Sequence, residues 1–363
     1  MRRLRFAVAV GVTNWLVCAS AAAQSTPQPS NWEVDIHIGT MAATTPSSGT
    51  SALPTTAAVA PGGARPVPSW FFGDGSSQVN VFPSVRAAGP LATLDRVLQT
   101  PLVQRRSGGT IGARVTRRLT RRFAAELSVD YALGEWSLTN ESRSALEAAR
   151  ASFMTAFNGL FTAPPIASRT VNATATLSDR RGRQVVTTGA LLVNVTTRSD
   201  RMSPYLAIGA AAISQLDTLP RALLEGTYQF VLSVPGFAGP APTLNQVDSL
   251  AVRSSVDDRL AWVFGGGLKY TLSNRWAVRL DVRDSVRRNT VSTFIDAAPA
   301  TTSPTTFGVL FFLSTLGNPP VVFSGNSTFS ASTLSGSLKD FRTFRGTGVN
   351  QQIGVTAGVC WRF

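Results

Sequence analysis

Apolar and polar residues alternate with period two in one stretch after another of this chain, and no other feature constrains its fold as strongly. In 122–133, RFAAELSVDYAL, Phe123, Ala125, Leu127, Val129, Tyr131 and Leu133 fall on one side of an extended backbone. Ala124, Glu126, Ser128, Asp130 and Ala132 fall on the other. The same reading gives strands over 31–41, 108–117, 122–133, 184–197, 203–213, 259–271, 275–286 and 349–363. In the first, Trp32, Val34, Ile36 and Ile38 oppose Glu33, Asp35 and His37. In the seventh, Trp276, Val278, Leu280 and Val282 oppose Arg279, Asp281 and Arg283. The fifth is less regular, with Leu206 and Ile208 opposite Tyr205, Ala207 and Gly209.

Each segment has roughly the ten residues that a tilted strand needs to cross a bilayer. The connections 117–122, 198–202 and 272–275 are short, whereas 42–107, 134–183, 214–258 and 287–348 are long. Short turns on one side and long loops on the other are the plan of a membrane barrel. An open sheet edge is not tolerated in hydrocarbon, where each unpaired N–H and C=O costs several kcal/mol, so the eighth strand is expected to pair with the first. The expected fold is all-β: an eight-stranded antiparallel up-and-down transmembrane β-barrel with long extracellular loops and both termini on the periplasmic side. Aromatic residues support it by position. Trp32, Phe123, Tyr270, Trp276, Trp361 and Phe363 lie beside the termini or a short turn, and Tyr131, Trp136 and Trp262 lie toward the long loops. Girdles of this kind suit both membrane interfaces.

Export is expected as well. Residues 1–23 begin with Arg2, Arg3 and Arg5, continue through an apolar stretch and end in Ala21-Ala22-Ala23, the pattern of a secretory signal peptide cleaved before Gln24. The remaining part holds one cysteine, Cys360, which cannot form an intramolecular disulfide. The formal charge is +14, yet the arginines are scattered over turns and alternating strand positions, so no nucleic-acid partner is expected. One histidine and one mature cysteine do not make a usual zinc site, and no metal or cofactor is expected.

With the apolar faces turned to lipid, the inner faces carry Glu33, Asp35, Glu126, Asp130 and Asp281 against Arg114, Lys269, Arg279, Arg283 and Arg362. Charges in an apolar interior are tolerated when paired, so an interlocked ionic lumen is expected. Pairs are expected between neighbouring strands: Arg114 with the acids of the first and third, and Arg362 with Glu33 and Asp35. His37 reads as a structural polar residue; the serine partner of a lipid acyl-transfer site is not at a recognisable spacing, so no enzyme activity is expected.

Thr356-x-Gly358-x-x-Trp361-x-Phe363 resembles the C-terminal insertion signal of bacterial outer-membrane barrels. That resemblance implies recognition by the barrel-assembly machinery, with Phe363 as a principal determinant. More widely, segments such as AELSVDYAL and NRWAVRLDVRD make the chain similar to the small eight-stranded barrel domains related to outer-membrane protein A. It departs from them in its large loops, and no peptidoglycan-binding domain is expected to follow the barrel.

Within the loops, 42–68 and 324–337 are low-complexity and read as extended linker. SWFFGDG, 69–75, is expected to turn and to pack Trp70, Phe71 and Phe72 on the barrel mouth. A helix is expected around 145–158, started by a Ser144–Glu147 capping box, with Leu146, Ala149, Phe153, Ala156, Phe157 and Leu160 on one face. GTYQFVLSV and FGVLFFLSTLG are expected to extend strands as hairpins. The expected role is structural and surface-interactive, in contact with outer-membrane lipid and lipopolysaccharide, with an unknown extracellular ligand. A porin-like channel for small solutes is the first alternative and a lipid-modifying enzyme the second.

Overall fold

The computed structural model describes residues 31–44, 46, 48–55, 67–160, 166–195, 201–232, 243–257, 260–299 and 337–363. The signal-peptide segment, most of 324–337, and FGVLFFLSTLG lie outside the described residues. The strands are β1 (Trp32–Ala43), β2 (Thr50–Ser51), β3 (Val103–Arg106), β4 (Gly108–Arg118), β5 (Phe123–Ala132), β6 (Glu135–Leu138), β7 (Ile166–Ser178) and β8 (Arg180–Arg181). They continue with β9 (Gln184–Asn194), β10 (Met202–Gln215), β11 (Arg221–Leu232), β12 (Thr243–Val256), β13 (Leu260–Thr271), β14 (Trp276–Pro299) and β15 (Leu338–Arg362). The helices are α1 (Gly73–Asn80), α2 (Pro83–Ala88), α3 (Asp95–Leu98) and α4 (Asn140–Leu160).

Eight strands close a ring by antiparallel pairing in the order β1-β4-β5-β9-β10-β13-β14-β15 and back to β1. The closing pair aligns Glu33 with Arg362 and Val34 with Trp361. Alternation then sorts the side chains. Ile36 and Ile38 are each 64% exposed on the outside, and Leu206, Ile208, Leu280, Val282, Val355 and Val359 are exposed with them. Arg114, Glu126, Arg279 and Asp281 are buried inside. The ring is thus apolar outside and charged inside, the reverse of a water-soluble barrel.

The sheet does not stop at eight strands. β14 and β15 run on together above the ring, as far as Ala297 opposite Leu338. Beyond Val286 the other edge of β14 loses β13, and from Val291 it gains β12, which carries β11 and β7. The result is a 12-stranded sheet, with a separate three-stranded sheet β3-β6-β8 beside it. This corrects the expectation that 134–183, 214–258 and 287–348 are loops over a plain eight-stranded barrel. Its physical reason is that the upper strands find a second apolar core. GTYQFVL lies on β11 as expected of a strand, but it joins through the β14 edge and prolongs no ring strand.

That core is the head of the molecule. Helix α4 lies on β7 and β11 and buries Leu146, Ala149, Phe153, Ala156, Phe157 and Leu160. Phe153 stacks on Phe157 at 4.1 Å, and Phe157 on Tyr228 at 5.1 Å. Gly226 makes this approach possible: a Cβ there would lie 2.5 Å from the Phe153 ring. Trp70, Phe71 and Phe72 join this core and do not cap the barrel mouth. Nor is SWFFGDG a simple turn, because α1 starts at Gly73, whose φ is +61°. The helix α4 also starts one turn earlier than its Ser144–Glu147 signal suggested. Thr139 Oγ1 accepts from the Ser142 N–H at 3.2 Å, while Glu147 accepts from Arg150 Nε at 2.9 Å. An N-cap partner one turn upstream satisfies the same orphan donors. Part of 42–68 is ordered as well, since β2 pairs with β15.

Candidate functional site: the ring interior

All ten charged residues of the expected lumen set lie on the inner face, and Arg362 pairs with Glu33 as expected, but other partners differ from those expected. Arg279 Nη1 stands 2.6 Å from Glu126 Oε2, and its Nε stands 2.8 Å from Asp281 Oδ2. Arg283 Nη2 reaches Glu126 Oε1 at 2.6 Å. Arg114 pairs with Asp281 on the far wall and donates from Nη2 to Thr356 Oγ1 at 2.6 Å. Arg114 was expected to pair with β1 and β5, and this pairing across the axis is a correction. In a ring this narrow a guanidinium reaches the opposite wall as readily as its neighbour strand. Glu33 collects Lys269 and Arg362, the latter at 3.0 Å, with Arg118 at 3.6 Å.

Tyr205, which alternation puts on the inner face, belongs to this network although the expected charged set does not include it. Its hydroxyl donates to Asp281 Oδ1 at 2.5 Å and accepts from Arg279 Nε at 2.5 Å, and the Arg279 guanidinium lies 4.6 Å from its ring centroid. Space for it comes from Gly267, its register partner on β13, where a Cβ would stand 2.2 Å from the hydroxyl. The sequence signal was the glycine run Gly265-Gly266-Gly267 opposite a lone inward tyrosine.

His37 forms a second cluster. Its Nε2 lies 2.5 Å from Asp130 Oδ1 and its Nδ1 3.1 Å from Asp35 Oδ1. Cys360 Sγ donates to Asp35 Oδ2 at 3.1 Å, so Asp35 is engaged here and not with Arg362. The expected pairing of Arg362 with both Glu33 and Asp35 is therefore corrected to Glu33 alone. Gly112 and Gly358 flank His37 in register on either side. A Cβ at Gly112 would lie 2.6 Å from His37 Nε2, and one at Gly358 would lie 2.7 Å from Asp35 Oδ1. Gly112→Val is accordingly expected to lower stability by about 1–3 kcal/mol through overpacking, measured as an earlier urea midpoint. Both His37 nitrogens face carboxylates, the geometry of a structural polar residue held between Asp35 and Asp130.

The network interrupts the lumen. A cavity of about 220 Å³ lies on the short-turn side, lined by Glu33, Arg118, Arg121, Tyr205, Lys269 and Arg362 among others. A second, of about 40 Å³, lies on the loop side against Arg114, Asp130, Arg283 and Gln352. Between them stand the Arg114–Asp281–Arg279–Glu126 pairs. Among the described residues no group of His, Cys, Asp and Glu is arranged to hold a metal ion.

The remaining sequence-marked residues face outward or close the ring. Phe123, Trp262, Tyr270 and Trp276 are exposed on the outer surface, as are Trp361 and Phe363, whose rings lie 5.1 Å apart. Trp32 carries the Arg117 guanidinium over its ring at 5.3 Å, and Tyr131 is half-buried at the loop end of β5. Thr356 and Gly358 point inward, where each has the packing duty already described.

No family model and no curated protein matches this chain. Among solved structures it is similar to the crystal structure of the outer membrane protein OprG from Pseudomonas aeruginosa, at 10% identity over 93% of this chain and 99% of that one, with a TM-score of 0.36. It is also similar to the solid-state NMR structure of outer membrane protein AlkL in DMPC lipid bilayers, at 10% identity over 94% of each chain, with a TM-score of 0.37.

Proposed function

We propose that this chain is an integral β-barrel of a bacterial outer membrane, that eight strands span the lipid, and that its role is structural and surface-interactive. One observation carries the reading: the same ring that exposes Ile36, Ile38, Leu206 and Leu280 outward buries Arg114, Glu126, Arg279 and Asp281 inward. Lipid is the solvent in which such a surface is at equilibrium. The short turns then face the periplasm, where Arg117 and Arg122 reach to anionic head groups, while Arg118 and Arg121 line the mouth of the lumen. The outward aromatic residues sit at the two interfaces, and the head stands outside the cell in contact with lipopolysaccharide. Thr356, Gly358, Trp361 and Phe363 serve the barrel-assembly machinery during insertion.

The proposal treats the lumen as a plug and the protein as non-catalytic. Planar-bilayer recording is expected to give no steady channel openings, because ions would have to displace buried salt bridges; frequent, sizeable openings would favour the porin-like alternative instead. Lipid A mass profiles are expected to be unaltered by expression of the protein and by His37→Ala. A modified lipid A that depends on His37 would restore the enzyme reading.

A further inference from the structure

Arg105 is buried at the rim where the head meets the ring. It sits on β3, opposite Trp136 of β6, and is only 7% exposed. Its Nη2 donates to the Gly182 carbonyl at 3.1 Å. Gly134 leaves the guanidinium its place, since a Cβ there would lie 2.7 Å from Nη2. Nε and Nη1 are enclosed and have no hydrogen-bond partner. None of the ion pairs among the described residues includes Arg105. The neighbouring charge is another buried arginine, Arg287 of β14, whose Nε donates to Asn350 Oδ1 at 3.4 Å. Burial and the charge of Arg287 together bring the Arg105 pKa down to about 10. A buried guanidinium with free N–H groups and a like charge beside it is costly unless an anion arrives to satisfy it.

We propose that the junction of ring and head binds a small oxyanion, a phosphate, sulfate or carboxylate group, held by the free Nε–H and Nη1–H of Arg105. Charge-assisted donors of this kind suit that chemistry. The site is built from the chain's own packing and does not depend on what surrounds the ring.

The test is equilibrium dialysis of the full chain, folded in phosphate-free detergent, against radiolabelled inorganic phosphate. One saturable phosphate per chain is expected, with affinity about tenfold or more weaker in Arg105→Gln and partly kept in Arg105→Lys. Heat-modifiable gel mobility shows whether each variant is folded. Arg86→Gln, at an exposed position of α2, is expected to bind like the parent. No saturable binding by the folded parent, or equal binding by folded Arg105→Gln, would overturn the proposal. Added lipopolysaccharide separates two sources of the same chemistry: competition assigns the site to a phosphate carried on lipid, and indifference to a soluble anion.

Discussion

Replacing Arg279 with methionine is expected to destabilise the folded ring by about 3–5 kcal/mol. Methionine keeps much of the volume, so the loss reports charge. Arg279 stands between Glu126 and Asp281, 2.6 and 2.8 Å away, and also donates to Tyr205. Its removal leaves two buried carboxylates short of a partner, with Arg283 and Arg114 only partly compensating. Replacing Arg279, Glu126 and Asp281 together by apolar residues of similar volume is expected to recover most of the loss, because no orphaned charge remains. Urea unfolding in detergent, followed by tryptophan fluorescence, measures both. A loss below about 1 kcal/mol for Arg279→Met would mean that the network is solvated, as in an open, water-filled lumen.

The head is expected to lose stability as pH rises from about 4 to above 7, and Asp248 is the cause. This carboxyl is fully buried, and its Oδ2 accepts from the Trp70 N–H at 2.6 Å and from Ser69 Oγ at 3.1 Å. Its Oδ1 has no partner. Burial outweighs those two bonds and pushes its pKa up to about 7 from the ordinary 3.8. A folded-state pKa raised above the unfolded value means that the folded head holds the proton more tightly. The stabilising contribution is therefore complete below about pH 4 and gone once pH has passed through 7. Integrated over that window it amounts to about 4 kcal/mol. Asp217, beside Arg183, behaves oppositely: its pKa is held down to about 2, so its contribution is lost only in strong acid. Asp248→Asn keeps the acceptor and removes the titration, so its urea midpoint is expected to stay flat between pH 5 and 8 while the parent's falls. Parallel curves for the two proteins would show that another group governs the head.

The ring was legible in the sequence because its two faces meet opposite environments. Phe123, Leu127 and Val129 against Glu126, Ser128 and Asp130 leave one sensible period and one sensible orientation. The head was not legible for the same physical reason. β7 reads IASRTVNATATLS; its apolar side, Val171, Ala173, Ala175 and Leu177, is made largely of small residues, and its partner β11 lies some fifty residues further on. The upper part of β14 was hidden by Phe294, an aromatic on the outer face that lies between the guanidiniums of Arg253 and Arg342, at 4.7 and 5.5 Å. Around it Val291, Thr293, Ile295 and Ala297 are buried, and Thr290 and Ser292 with them. In the lumen, residue types and orientation could be read, but partners could not. Strand order suggests neighbours, whereas Arg114 meets Asp281 across the axis, and that depends on tilt and stagger that no local pattern encodes. His37 was visible as a lone inward histidine, and the glycines that make its niche are seen only in register.

Nitroxide scanning along β14 tests most directly whether lipid wets the outside of this ring. Single cysteines at 278 through 283, in a Cys360→Ser background, are labelled and the protein is reconstituted in liposomes. Collision with oxygen is expected to be strong at 278, 280 and 282, and collision with a water-soluble nickel complex weak at all six. Strong nickel collisions at 278, 280 and 282, or no alternation along the strand, would contradict the membrane barrel.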